Sequence, residues 1–544
     1  MNSDDQDSTT SDAMAGALPT RRRAIKTFGG LAVAAFVPGA MRAAWGEQQG
    51  GSNPVFTLGV ASGDPGSDRV VLWTRLAPDP LNGGGLNDRA ARIDWEVAID
   101  PAMTRTVRRG TTTSTARNGH AVSVHVTGLR PDSWYYYRFS HRGVQSRIGR
   151  TRTFPAAGVL PARMRFAFCS CQHYEQGYYA AYRDMATQDL DFVVHVGDYI
   201  YEYAASANVP AARRHQGGEI ATLADYRNRY ALYRLDRHLQ DTHAAFPFIV
   251  TFDDHEVDNN YAGLIPEDEQ TAEAFRQRRR NAYQVYRESM PLRANVQASG
   301  DGLNLYRRLP YGRLADILVL DTRQYRSDQP CDDGLQFLQT CPAILSPDAT
   351  MLGATQEAWL FDQLRQSRAT WNVLAQQVMM MRWDLGALTG QPLNYYNVDA
   401  WDGYQAQRDR ILRFLAEQRV ANPVVLTGDI HSAWAADLKA DFNGASSPVI
   451  GAEFVCTSIS SGFGDSNDPL VKATLPSNPH IRYFDGLLRG YSICTVTPGA
   501  WRTDFRAVQR VADPVFTVPS ADLPVSDVAA FNLIAGQAGL TRVL

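Results

Sequence analysis

Four short runs in this chain end in residues that bind metal ions. FAFCSCQ carries Cys171, GDYIYE carries Asp198 and Tyr201, FIVTFDDHE carries Asp254 and His255, and VVLTGDIH carries Asp429 and His431. In each run the donor follows an apolar stretch, as at the end of a buried strand. Tyrosine is an unusual ligand, suited to trivalent iron, which stabilises a phenolate. Cys171, Tyr201 and His431 together make a thiolate, phenolate and imidazole set that suits Fe3+. Asp198, Asp254 and Asp429 make an all-oxygen set that suits a hard divalent ion such as Ca2+. A carboxylate between two cations can bridge them, and Asp198 is the natural bridge. Such a centre would hydrolyse a phosphoester, because bound cations lower the pKa of water to about 7 and offset charge on phosphoryl oxygens.

Other residues near these runs have competing readings. His255 would donate a proton to a leaving oxygen or hydrogen-bond outside the ligands. Arg323, in DTRQYR, would contact phosphate or close a helix-end ion pair. His173 is placed at the pocket lining, whereas His195 and Cys169 read as structural. The run Arg276–Arg280 reads as a solvated helix face.

A chain of 544 residues is long enough for two or three domains. Its net charge of −3 argues against a dedicated nucleic-acid binder. The three lysines are Lys26, Lys439 and Lys472, and no Gly-Lys pair occurs, which excludes a Walker-type phosphate loop. Neither G-x-S-x-G nor H-E-x-x-H is present. At the N-terminus, TRRRAIK (Thr20 to Lys26) precedes a mild apolar run, Phe28 to Val37, too short to span a membrane. Residues 1–47 therefore read as a twin-arginine signal, which sends the protein to that export machinery and then to a periplasmic or extracellular location. No transmembrane anchor is expected in the mature protein. Of six cysteines, Cys331 and Cys341 bracket a short loop and would pair, and Cys456 and Cys494 are candidates for a second bridge.

The elements that must position the donors come in two textures. From 54 to 155, apolar alternation and turn residues point to a small all-β domain. Within it, Leu129, Pro131, Tyr135 and Tyr137 match a tyrosine-corner pattern of fibronectin-like sandwiches. From 163 to 517, apolar runs alternate with helical periodicity, giving an α/β domain whose strand ends would gather ligands. The stretch 518–544 is expected to be a tail containing a weakly amphipathic helix, VAAFNLIAGQAGL, and to act as a candidate lid.

The ordered set Cys, GD-x-x-Y, DDHE and GD-x-H resembles the PhoD-like alkaline phosphatase D family, a distant relative of purple acid phosphatases. FTLGVASGDP, VVLWTRL, DTRQYR, NVDAWDGY and RGYSICTV resemble it too. The resemblance implies a metallophosphoesterase-type β-sandwich flanked by helices, preceded by a small all-β, fibronectin-like domain. It also implies an iron thiolate at Cys171, a metal bridge at Asp198 and a phenolate at Tyr201. Asp254 stands where the relatives use the Asn of G-N-H-E; Asp429 and His431 stand at the two histidines of G-H-x-H, a change that favours calcium. An isolated histidine ligand of the relatives is replaced here by Gln376 or Gln377 in NVLAQQVMM. The implied cofactors are Fe3+ and Ca2+, with more than one calcium expected and other divalent ions as substitutes. The implied substrates are small or polymeric phosphomonoesters and phosphodiesters. A phospholipase D-like or teichoate-directed diesterase is the alternative, and a metal-stabilised cell-wall binder is the non-catalytic one.

Overall fold

The computed structural model describes residues 54–544 except 208–212, 268–269, 294–295, 297, 300–301, 332–334, 338–340, 387–394, 445 and 510–521. The expected export signal lies outside the described residues. Among those described, no helix is long and apolar enough to cross a membrane.

The apolar runs read as strand ends are buried on both faces, as expected of parallel strands covered from either side. Met164–Cys169, Phe192–His195 and Pro247–Val250 pair in parallel at the centre of a ten-stranded sheet. Ala315–Val319, Trp371–Ala375, Pro423–Thr427 and Val449–Val455 run in parallel through a seven-stranded one. The two sheets pack face to face around Phe166, Phe192, Val194, Ile317, Val373, Leu426 and Phe454. Helices Ala180–Met185, Leu223–Arg234, Arg237–Ala245 and Ala272–Ser289 cover the outer face of the first sheet. Gly353–Gln366 and Gln405–Glu417 cover the second. The result is a β-sandwich flanked by helices. Four of these strands, Met164–Cys169, Phe192–His195, Pro247–Val250 and Pro423–Thr427, lead from their carboxyl ends into the donor-bearing loops.

The N-terminal β region does not keep its strands to itself. Val60–Gly63 pairs in parallel with Pro247–Val250, so it, Val70–Arg75 and Ala121–Val126 extend the ten-stranded sheet. Ala91–Ala98, Thr106–Ser114 and Trp134–His141 form a separate sheet that closes over this extension around Leu72, Ile93, Val97, Val124 and Phe139. Tyr135 Oη accepts from the Arg130 N–H at 2.8 Å, the contact a tyrosine corner makes.

Three expectations are corrected. VAAFNLIAGQAGL is not a helix: Val525–Ile534 is a strand paired along Ala500–Val508. Its alternating Ala529, Phe531 and Leu533 enter the core between the sheets, so tertiary packing overrides a weak helical periodicity. Cys331 and Cys341 form a disulfide, but Cys456 and Cys494 are both free. The Cys456 thiol lies against Thr427 O and Ser170 Oγ, and Cys494 against Thr503 Oγ1, in different sheets. The arginine run is not wholly solvated. Arg278 is buried against Asp258 and Glu219, and Arg279 against Tyr283.

Candidate metal centre

Two glycines set the turns that aim the acidic donors. Gly197 has φ +118°, and a Cβ there would run into the Cβ and backbone of Asp253. At Gly428 a Cβ would sit 2.5 Å from Ser170 Oγ. Immediately beyond the strands, Cys171, Asp198, Asp429 and His431 all adopt left-handed backbone, with φ between 56° and 63°. Non-glycine residues rarely take this conformation, at a cost of ~1–3 kcal/mol each, and they gather at functional sites. The backbone is laced to hold them there. Cys171 N–H donates to Gly197 O at 3.1 Å, and Gln172 N–H to Asp198 O at 3.1 Å. Ser461 Oγ donates to Cys171 O at 2.8 Å.

All six residues expected to bind metal converge. Donor atoms of Cys171, Asp198 and His431 lie within 4.8 Å of one another, as do those of Asp198, Asp254 and His255, and those of Asp253, Asp254 and Asp429. Tyr201 Oη, 2.8 Å from Asp198 Oδ2 and 3.0 Å from His431 Nε2, completes the first group. His431 Nδ1–H donates to Gly462 O at 3.1 Å, which turns the Nε2 lone pair inward. Burial, then the Asp198 charge, pushes the Cys171 thiol and the Tyr201 phenol well above their usual ranges. A cation among them would reverse that balance, since metal-bound thiols deprotonate outright.

The arrangement fits cations on two further counts. Asp198 Oδ1 and Asp253 Oδ2 are buried with no hydrogen-bond donor among the described residues, which is costly for a carboxylate unless an ion takes the lone pairs. The donor set also divides by softness: sulfur, phenol and imidazole on one side, carboxylates on the other, with Asp198 shared.

His255 faces the same carboxylates but is held from behind. Its Nδ1 is 2.8 Å from Glu202 Oε2, and Glu202 Oε1 accepts from Asn259 N–H at 3.0 Å. Burial opposes charge on this ring, yet Glu202, Asp254 and Asp198 hold its pKa well above the ordinary histidine value. His173 lies against Tyr201 with ring centres 4.4 Å apart and planes tilted by 47°, and His195 lies buried in its strand.

Two expectations need revision. Arg323 is fully buried and its donors are engaged by Asp253, Asp399 and Asp429, so it does not reach into an open cleft as a phosphate contact would. Gln376 and Gln377 do not present free carbonyls to the cluster. Gln376 Oε1 accepts from Trp401 Nε1, and Gln377 Oε1 from both the N–H and hydroxyl of Thr322.

Sequence reasoning missed four participants. Asp253 joins the carboxylate group. Glu256 accepts the N–H groups of Asp198, Tyr199 and Asp253, clamping two strand ends together; burial and then Asp198 raise its pKa to about 8. Glu202 orients His255, and Asp399 grips Arg323. All but Asp399 sit inside DDHE and GDYIYE, so adjacency to a recognised donor was the available signal.

Comparison with known proteins places the chain in a family. The PhoD-like phosphatase family matches residues 166–505, and its N-terminal domain family matches 40–155. Alkaline phosphatase D of Bacillus subtilis (strain 168) is 49% identical over 493 residues, which cover 90% of this chain and 82% of that protein. A solved structure of PhoD, 48% identical, superposes with a TM-score of 0.84 over 90% of this chain and 92% of that one. Matched by both family models and by a relative 49% identical over most of its length, the chain belongs to the PhoD-like phosphatase family.

Proposed function

We propose that this chain is an exported alkaline phosphatase and phosphodiesterase with an iron and calcium centre. Cys171, Tyr201 and His431 would hold Fe3+ together with Asp198. Asp198, Asp254 and Asp429, with Asp253 beside them, would hold Ca2+. The observation that carries this reading is the sharing of Asp198 between the sulfur-bearing group and a carboxylate group. When bound, such ions supply Lewis acidity, lowering the pKa of water and offsetting charge on phosphoryl oxygens. The chain's own part is to hold the donors at fixed strand ends and to keep a proton on His255 for the leaving oxygen. Export rests on TRRRAIK and the mild apolar run after it.

The test combines spectroscopy with turnover of a chromogenic monoester and diester, before and after EGTA. The expected result is a visible tyrosinate band that Tyr201→Phe abolishes, and turnover that EGTA removes and calcium restores. A colourless, metal-loaded, active protein would overturn the iron assignment. Turnover indifferent to EGTA would overturn the calcium assignment.

A further inference from the structure

The carboxylate half of the centre already contains a cation, supplied by the chain. Arg323 follows the strand Ala315–Val319, and its side chain is fully buried. Nε donates to Asp253 Oδ1 at 2.5 Å, and Nη1 to Asp399 Oδ1 at 2.8 Å. Nη2 donates to Asp399 Oδ2 and to Asp429 Oδ1, each at 3.2 Å, and lies 3.6 Å from Asp254 Oδ1. One guanidinium thus touches all three carboxylates of the Asp253, Asp254 and Asp429 group.

The guanidinium is itself fixed. Asp399 grips it with both oxygens, a fork-to-fork geometry that lysine cannot reproduce. Asp399 is gripped in turn by Arg326 Nη1 at 2.9 Å and Gln329 Nε2 at 3.0 Å. It follows the strand Tyr395–Asn397, which pairs with Leu335–Phe337 inside the loop closed by Cys331 and Cys341. Gln329 also donates to Asn260 O, and Asn260 N–H donates to Asp254 Oδ2 at 2.7 Å. The path from Arg323 through Asp399 therefore returns to Asp254. Three buried carboxylates this close repel one another, and in a metal-free protein they would protonate or separate without a paired charge.

We propose that Arg323, oriented by Asp399, is a positioning residue: it is the resident countercharge that keeps Asp253, Asp254 and Asp429 converged before a divalent ion arrives. The site is then preformed, and ion binding costs no closing of strand ends. This rests on the reading that these carboxylates take up calcium. It replaces a direct phosphate contact as the role of Arg323.

The experiment measures thermal midpoints of wild type, Arg323→Lys, Arg323→Met and Asp399→Asn, first in EGTA and then over a calcium titration. Competitive inhibition by inorganic phosphate is measured alongside. In EGTA, Arg323→Met should melt several degrees below wild type, with Arg323→Lys and Asp399→Asn in between. Saturating calcium should close at least half of that gap, and the phosphate inhibition constants should agree within about twofold. Equal midpoints in EGTA, with phosphate inhibition weakened tenfold in Arg323→Lys, would overturn the proposal in favour of a phosphate contact. If Arg323→Met does not fold, Asp399→Asn decides by the same criterion. A wild type whose midpoint ignores calcium would sink the calcium reading alone, and the EGTA midpoints would still decide the role of Arg323.

Discussion

His255 follows Asp254 directly in the chain, yet its ring is tied to Glu202 with Nδ1 2.8 Å from Oε2. DDHE alone left His255 as a proton donor or a hydrogen-bonder outside the ligands, and its place beside Asp198 and Asp254 adds the role of a ligand. A ligand would be needed to retain metal, whereas a proton donor would be needed only when the leaving group is a poor one. His255→Asn should keep its full metal content and lose about 10²–10⁴-fold in kcat on an alkyl phosphate. The loss should be far smaller on p-nitrophenyl phosphate, whose leaving group departs without a proton. Equal losses on both substrates, or metal loss like that of Asp198→Asn, would overturn the assignment. At this scale the six metal-binding candidates were legible because their types are rare together and each follows an apolar run. Arg323 and Asp399 were not legible as a pair. Seventy-six positions separate them, and only the fold brings Nη1 to 2.8 Å from the carboxylate.

At the scale of elements, the loops are held by strands that carry no donor themselves. Glu453, in Val449–Val455, is buried and accepts the N–H groups of Met380 and Met381 at 2.8 and 2.6 Å, and the Thr427 hydroxyl at 2.6 Å. It thereby ties the segment after Trp371–Ala375 to the strand that leads into Asp429. Burial raises its pKa to about 7 from 4.5. The folded carboxyl keeps its proton where the unfolded one has lost it, so its stabilising effect is complete below pH 4.5. That effect fades as pH rises toward 7, by about 3 kcal/mol in all. Glu453→Gln removes this slope: between pH 5 and 7, the Tm of wild type should fall relative to the variant. Parallel Tm curves would show that Glu453 is ionised throughout. The strands themselves were legible from apolar runs bounded by polar clusters. The strand at Val525–Ile534 was not, because its Gly-rich sequel and spaced apolar residues also satisfy a helical repeat.

Across the whole molecule, the long strand near the C-terminus joins the packing of the two sheets rather than the rim of the site. Val525–Ile534 extends the ten-stranded sheet beyond Ala500–Val508, and Phe531 is fully buried against Phe505 and Tyr483, with ring centres 6.2 and 5.7 Å away. The expectation of a lid therefore gives way to a role in stability. The N-terminal region, which reads as a domain in sequence and matches a domain family of its own, also pairs with Pro247–Val250, nearly two hundred positions away, which its alternation alone does not reveal. Phe531→Ala should cost about 3–5 kcal/mol of stability through the cavity left between the sheets. The ratio of kcat/KM for monoester to that for diester should stay unchanged, because the strand-end donors do not touch this residue. The two quantities separate the readings cleanly. A lid residue would shift the ratio and leave the denaturation midpoint near wild type, whereas a core residue lowers the midpoint at constant ratio. Truncation at Pro524 should act in the same direction with a larger effect, yielding a protein that loses folding before it changes preference.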